Sequence, residues 1–396
     1  MSRKHILIVN NNMHIGGVQK ALANLLCEIH SDYDITLLLF YKGGELLKDV
    51  PPDVKVMDAA APFRYLGMSK SDAVRVCDKL FRFFFAAFTH IFGMRAAVKL
   101  MGLTQKKIRG YDTAISFLHS GREKVFYGGC NEFVLDFTEA QQKITFVHCD
   151  FEKIGAVSKK NRKIYSRFDR IAACSEGCKI SLLRCFPELS QKTGVVRNCQ
   201  NYGEIRRMAQ VCSEEFEESE FNILTVARFG KEKGISRAVR AFAGICNAEK
   251  TIRYYIIGDG AERRDVELLI SNTVPVGSVT LLGEKENPYG YMAKADILLL
   301  PSISEAAPMV INESACLGTP VLSTDTSSAV EMICETGFGW VCENSEDGIR
   351  KEILRLAGSR NEVKCKREFL RTQRFDNAVA IKQFSELISQ DDKTTD

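Results

Sequence analysis

The stretch HILIVNNNMHIGGVQKALANLLCEI (residues 5–29) decides the fold. Four of its first six residues, Ile6 to Val9, form an apolar run rich in branched side chains, which predicts a short strand. Two adjacent glycines, Gly16 and Gly17, follow. After them, apolar residues recur at helical spacing through VQKALANLLCEI. Strand, glycine turn and helix in that order make the first unit of a parallel sheet covered by helices.

The same pattern continues outward. DITLLLF, VKVMDA, DTAISFL, KITFVHC, RIAACS and TGVVRN read as further strands. They are continuous apolar runs rather than alternating ones, as expected of a sheet buried on both faces. The alternation stops at MAQVCSEEFEESE (208–220), which is acidic and has no strand character. It restarts with FNILTVARFGKEKGISRAVRAFAGIC (221–246), then RYYIIGDG, VTLLG, DILLLPS and PVLSTD as strands, with helices between them. The expected organisation is α/β, with two doubly wound Rossmann-like domains over 1–207 and 208–375. A closing helix over 376–396 is expected to pack back toward the first. Two such domains facing each other leave a central cleft at the carboxyl ends of their strands, where ligands of this architecture bind.

Composition narrows the function classes. The chain has 396 residues, 45% hydrophobic and 26% charged, with a net charge of +4. That mild charge argues against a dedicated nucleic-acid partner. The 14 cysteines are scattered without C-x-x-C spacing, so they read as core residues of a reduced, cytoplasmic protein rather than zinc ligands. No apolar run is long enough to span a membrane. Residues 64–110 hold ten Lys and Arg against two Asp, an excess of +8, and include the phenylalanine-rich FRFFFAAFTHIF. This stretch reads either as a segment for an anionic membrane surface or as a buried helix pair with a solvated basic side.

Three stretches carry chemistry. Gly16 and Gly17 open a helix whose free N–H groups could meet an anion. In VARFGKEKG (226–234), Arg228 ends a strand and Lys233 lies in the following loop. Cations there could neutralise a diphosphate, although solvated loop charge is the plainer reading of that feature alone. In SEAAPMVINESACLGTP (304–320), Glu305 follows a buried strand and Pro308 suits a helix start. Glu313 then lies about one turn inside that helix. N–H groups near Met309 and Val310 could meet a phosphate, and the carboxylates could accept from sugar hydroxyls. Taken alone, Glu305 could equally serve the helix N-terminus and Glu313 a buried cation.

Together these elements resemble the family 4 retaining glycosyltransferases of GT-B fold, in particular those that build bacterial capsular and other cell-surface polysaccharides. The resemblance rests on Gly16–Gly17, Arg228…Lys233–Gly234, Gly258–Asp259–Gly260, Asn287–Pro288…Tyr291, and Glu305…Glu313 followed by SACLGTPVLSTD, all in order. It implies that Arg228 and Lys233 hold the donor diphosphate, approached also by Gly16 and Gly17. Glu313 would bind the ribose, and Glu305 and His148 the donor sugar. Gly283 and Glu284 would contact the base. Ala306, Ala307, Met309 and Val310 would complete the donor site. Asp150 follows His148 closely at a strand end and favours a site role for it; His14 and His119 are weaker candidates. Two positions depart from the family pattern: Gln19 replaces glutamate and Ala306 replaces glycine.

The implied reaction moves a sugar from a nucleotide diphosphate, UDP-linked by expectation, to a glycan or lipid-linked acceptor. Configuration is retained, and no cofactor or metal is expected. SDYD (31–34) contains D-x-D but lies away from these motifs and reads as a turn. The expected location is cytoplasmic, with peripheral contact to the inner membrane face. A sugar-nucleotide epimerase or phosphorylase on the same architecture is one rival; the context of a cofactor-binding lysine that a phosphorylase needs is not found. A non-catalytic, transferase-like binding subunit is the other rival.

Overall fold

The computed structural model describes residues 3–211, 216–217, 219–246, 249 and 251–389. They form two compact units. One comprises the chain up to Cys199 together with the segment from Asn377 onward, and the other comprises Gln200–Asp376.

The first unit holds seven strands: β1 (His5–Asn10), β2 (Asp34–Leu39), β3 (Lys55–Asp58), β4 (Ile108–Ser116), β5 (Thr138–Val147), β6 (Arg170–Ala173) and β7 (Thr193–Val195). They pair in the order β3-β2-β1-β4-β5-β6-β7, and every pairing is parallel. Five consecutive residues of β1, Ile6 to Asn10, are buried, as a sheet covered on both faces requires. On one face Leu7 and Val9 pack with Phe40, Phe63, Phe133 and Val134. The helix Ala378–Ser389 belongs to this unit: Lys4 Nζ donates to Ile388 O at 3.2 Å, and Asn377 Nδ2 to Glu28 Oε1 at 2.7 Å.

The second unit holds β8 (Phe221–Val226), β9 (Ile252–Ile257), β10 (Val279–Gly283), β11 (Ile297–Leu300), β12 (Val321–Thr324) and β13 (Gly339–Cys342). Their order is β10-β9-β8-β11-β12-β13, again all parallel. Alternate residues of each strand feed two cores. Ile223, Ile256, Leu299 and Leu322 pack under the helices Ile235–Ala243 and Glu346–Gly358. Leu224, Ile257, Leu298 and Val321 pack on the other face, against Ile205, Tyr291 and Ile311.

Ile205 explains where the units divide. It lies on the helix Tyr202–Ala209 and is buried in the second unit's core. The division therefore precedes that helix, at Cys199/Gln200, rather than falling at 207/208. Part of the acidic stretch 208–220 lies outside the described residues. The edge strand β13 does not stand out in the sequence, because it opens on glycine and three of its four residues are only half-buried.

Candidate functional site

In the second unit, β8 and β11 are neighbours, with β9 beyond one and β12 beyond the other. The strand order reverses between them, and loops leaving their carboxyl ends open a crevice there. Arg228–Gly234 follows β8, and Pro301–Pro308 follows β11. The two loops meet. Lys233 Nζ donates to Glu305 Oε1 at 2.6 Å, and Ser302 Oγ donates to the same oxygen at 2.6 Å. Glu305 is buried, yet its Oε2 accepts no hydrogen bond from the described residues.

Glycine makes this approach possible. Gly234 has φ +65°, and a Cβ on it would lie 2.1 Å from Pro301 O. Any side chain would push the loops apart and withdraw Lys233 from Glu305. Gly258, with φ +137°, lets Ala227 O come where a Cβ would stand 2.0 Å away. The glycine of the GDG stretch thus seats the end of β9 against the loop after β8. Phe229 N donates to Asp259 O at 2.8 Å across the same seam.

Three residues that sequence reasoning missed fix the loop of Glu305. Arg237 donates to Pro301 O at 2.8 Å and Ser302 O at 2.7 Å, and to Asn344 Oδ1 at 2.6 Å. Ser327 Oγ donates to Glu305 O at 2.7 Å. Ser302 holds the carboxylate itself. The one available signal was a cation in the first turn of the helix Ile235–Ala243, a position where the dipole disfavours it.

The remaining candidates surround this pair. Arg228 is on the same loop but exposed, and it donates to Glu232 Oε1 at 2.8 Å. The helix Met309–Cys316 begins after Pro308, without an acidic first turn or a side-chain cap. Met309 and Val310 lie in its first turn, and Glu313, one turn in, is buried. Ala306 and Ala307 are half-buried in the approach to that helix. Gly283 ends the edge strand β10, and its carbonyl accepts from Gly258 N at 2.8 Å; Glu284 beyond it is exposed. β10 stands two strands from β8, roughly 10 Å away at normal sheet spacing. Just before the helix Tyr289–Lys294, Asn287 Oδ1 accepts from Tyr289 N at 3.2 Å and Asn287 Nδ2 donates to Met208 O at 2.9 Å, so the NP-x-x-Y segment is tied into the fold. Among the described residues no three His, Cys, Asp or Glu side chains come together to hold a metal ion.

Residues 209–367, which contain this whole arrangement, match the family of glycosyl transferases group 1. That segment is similar to a glycosyltransferase domain.

The curated relatives agree with this. AmsK, the amylovoran biosynthesis glycosyltransferase of Erwinia amylovora, is 28% identical over 181 residues, 42% of this chain and 44% of its own length. The N-acetylgalactosamine-N,N'-diacetylbacillosaminyl-diphospho-undecaprenol 4-alpha-N-acetylgalactosaminyltransferase of Campylobacter jejuni is 28% identical over 181 residues, 46% of this chain and 48% of its own length. The chain spans less than half the length of these relatives. Solved structures extend the likeness to the whole chain at the level of fold. Anabaena HepE in complex with UDP and glucose has a TM-score of 0.68 at 15% identity, covering 98% of this chain and 100% of that one. WaaG, a glycosyltransferase involved in lipopolysaccharide biosynthesis, has a TM-score of 0.63 at 14% identity, covering 97% and 100%. The fold is GT-B.

The first unit has its own switch point, between β1 and β4. After β1, Asn12 Nδ2 donates to Gly67 O at 2.6 Å and Gln19 Nε2 to Asn11 Oδ1 at 3.3 Å. Gly16 precedes the helix Gly17–Ile29 with no side-chain cap, and a Cβ on Gly17 would meet nothing within 4 Å. His14 is held between Asp72, at 2.7 Å, and Glu45, at 3.3 Å. It anchors its loop.

His148 lies just past the end of β5, with its ring 4.8 Å from Phe117 and 5.7 Å from Phe146. Burial, helped by neighbouring His119, pushes its pKa down to about 3, and its buried Nε2 has no partner. Burial likewise pushes His119 down to about 4. Both rings are neutral at physiological pH. Asp150, whose closeness in sequence drew attention to His148, is occupied elsewhere: Oδ1 accepts from Ser181 Oγ at 2.7 Å and from Lys153 N at 3.2 Å.

The basic, phenylalanine-rich stretch forms the helices Val76–Phe92 and Met94–Met101. On the first, Asp78, Phe85 and Thr89 are buried and Arg82 donates to Tyr65 O at 3.1 Å. Leu80, Phe81, Phe83, Phe84, Ile91 and Phe92 are exposed, Phe83 by 74%. A buried helix pair with a solvated basic side would show the reverse. Phe85 joins the core and Tyr65 stacks on Phe81, but most of this helix's apolar residues point outward.

Proposed function

We propose that the protein is a retaining glycosyltransferase. It moves a sugar from a nucleotide-diphosphate donor, UDP-linked, to a glycan or lipid-linked acceptor in cell-surface polysaccharide biosynthesis. The observation that carries this reading is the meeting of Lys233 and Glu305 at the switch point of the second unit. In the proposed reaction the bond between the sugar C1 and the diphosphate oxygen breaks. The acceptor hydroxyl oxygen bonds to C1 on the same face, and its proton passes to the departing diphosphate. Charge therefore accumulates on the leaving group. Preorganised cations are what such a step needs, and Lys233 and Arg228 supply them without a metal. Lys233 is held in place beforehand by Glu305. Glu305 Oε2 is free to accept from a sugar hydroxyl, and Glu313 would take the ribose hydroxyls. The first turn at Met309 and Val310 offers N–H groups to a phosphate. His148, being neutral, can exchange hydrogen bonds with a hydroxyl but cannot balance phosphate charge.

The outward phenylalanine face of Val76–Phe92, flanked by cations, supports peripheral contact with an anionic membrane. The diphospho-undecaprenol acceptor named for the Campylobacter relative supports a lipid-linked acceptor. A thermal-shift screen of nucleotide sugars tests the donor reading, because a ligand bound only by the folded chain raises its melting temperature. A UDP-sugar is expected to give the largest shift. No shift from any nucleotide sugar would leave the non-catalytic rival standing, and conversion of the sugar without an acceptor would favour the epimerase.

A further inference from the structure

The first unit contains a cavity of about 560 Å³ that no motif accounts for. It lies beside the loop that follows β4, between the helices Met94–Met101, Cys130–Phe137 and Lys159–Ser166. Five cations line it: Arg95, Lys99, Arg122, Lys160 and Lys163. Two are occupied, since Lys160 pairs with Glu123 at 3.1 Å and Arg122 Nε donates to Ile154 O at 2.8 Å. Arg95, Lys99 and Lys163 make no ion pair or hydrogen bond among the described residues. Arg95 is half-buried and Lys99 and Lys163 are exposed, so these cations are available to an anion entering the cavity.

A second, independent observation points into the same cavity. Glu132, also in the lining, is 4% exposed, and its buried Oε2 has no hydrogen-bond partner. A buried polar atom left unpaired is uncommon and is usually met by a ligand or water. Gly129, in the lining as well, precedes the helix Cys130–Phe137 without a side-chain cap, and thus adds a positive dipole end. Finally, Phe92 lines the cavity and closes the exposed row of Phe83, Phe84 and Ile91. The cationic cavity therefore opens at the end of an apolar helix face.

We propose that this cavity binds the phosphoryl group of the acceptor, with Arg95, Lys99 and Lys163 on the phosphate oxygens and Glu132 hydrogen-bonding the group attached to them. The chemistry required is a phosphate or diphosphate ester, borne by a lipid or by a soluble glycan. The adjoining phenylalanine face favours the lipid. This names the acceptor class of the transferase and rests on that reading.

The test is calorimetric titration of the full chain with inorganic pyrophosphate, beside the Arg95→Ala/Lys163→Ala variant. Loss of two charge-assisted contacts is expected to weaken binding about tenfold or more. The melting-temperature shift caused by UDP, a readout of the second unit, should persist in the variant. Lys99→Ala/Lys163→Ala repeats the comparison should Arg95 prove necessary for folding. Equal pyrophosphate affinity in wild type and variants, or none in the wild type, overturns the proposal. A lost pyrophosphate site with no UDP shift in any form keeps the phosphoryl site and removes the transferase reading instead. Vesicles of phosphatidylcholine with and without phosphatidic acid separate the sources. Binding that needs phosphatidic acid and fails in the variant assigns a lipid phosphate. Vesicle binding unchanged by the variant, with pyrophosphate binding lost, assigns a soluble phosphorylated acceptor.

Discussion

The two switch points share a topology and differ in chemistry. At the second unit's, between β8 and β11, charges meet: Lys233 and Ser302 on Glu305, and Arg228 on Glu232 nearby. At the first unit's, between β1 and β4, the groups are mainly neutral: Asn11, Asn12 and Gln19 after β1 and the buried ring of His119 after β4, with the carboxylates of Asp72 and Glu45 taken up by His14. Sheet order places a crevice in both, but loop residues decide what each can hold. A charged crevice suits a leaving diphosphate. A neutral one suits hydroxyl groups, whose recognition needs donors and acceptors rather than net charge.

The sharpest way to break this comparison is Lys233→Ala. Removing a cation aimed at developing charge should lower transfer roughly 10²–10³-fold. The initial rate of UDP release from the best donor of the thermal-shift screen measures it. A loss under threefold would mean that the charged switch point is not where the diphosphate lies.

A stability effect comes next. Burial lifts the Glu132 carboxyl to about 7, with Asp136 adding to it, so the folded chain keeps a proton that the unfolded chain releases near 4.5. Stability from this group is present below about pH 4.5 and falls away as pH rises to about 7. Glu132→Gln, in urea unfolding at about pH 8, should gain up to about 3 kcal/mol. His119 and His148 act oppositely. Their depressed values mean that the unfolded chain binds more protons below about 6.5, so their contribution is lost as pH falls through that window toward about 4 and about 3. The wild-type profile should therefore still rise with pH where the windows overlap, two imidazoles outweighing one carboxyl, and Glu132→Gln should make that rise about twice as steep. A variant no more stable than wild type at the alkaline end would show that the fold does not raise the Glu132 carboxyl.

Glu313→Ala sharpens the division of labour within the charged crevice. Loss of a carboxylate accepting from ribose hydroxyls should weaken donor affinity about 10–100-fold. Glu305→Gln should lower turnover more than affinity. Unchanged donor affinity in Glu313→Ala, by calorimetry, would overturn that assignment. The smallest effect is expected from His148→Gln. A neutral hydrogen-bonding side chain replaces a neutral imidazole, so transfer should fall less than about tenfold, the loss of about one neutral hydrogen bond. The rate near neutral pH should not follow a histidine ionisation. A step near pH 6.5 that vanishes in the variant would show the imidazole to be charged in the working enzyme.

Much of this was legible in the sequence, for physical reasons. Buried parallel strands are long apolar runs, so β1, β8 and β11 announce themselves, and glycine marks where loops must touch. Lys233 and Glu305 were visible because each follows such a strand. Their direct pairing was not, since 72 positions separate them. Arg237 stayed hidden because it works through backbone carbonyls, which no motif records. Asp150 misled in the opposite way, since its nearness to His148 is in sequence only, and its carboxylate serves Ser181. The phenylalanine helix was undecidable until its burial was known, because an apolar stripe looks the same whether it faces the core or the solvent.

The most direct test is a calorimetric titration of UDP into wild type, Lys233→Ala and His148→Gln. Binding to wild type and to His148→Gln, with Lys233→Ala weaker by at least about tenfold, is the result expected if the charged switch point holds the diphosphate. UDP binding to Lys233→Ala as tight as to wild type would contradict it.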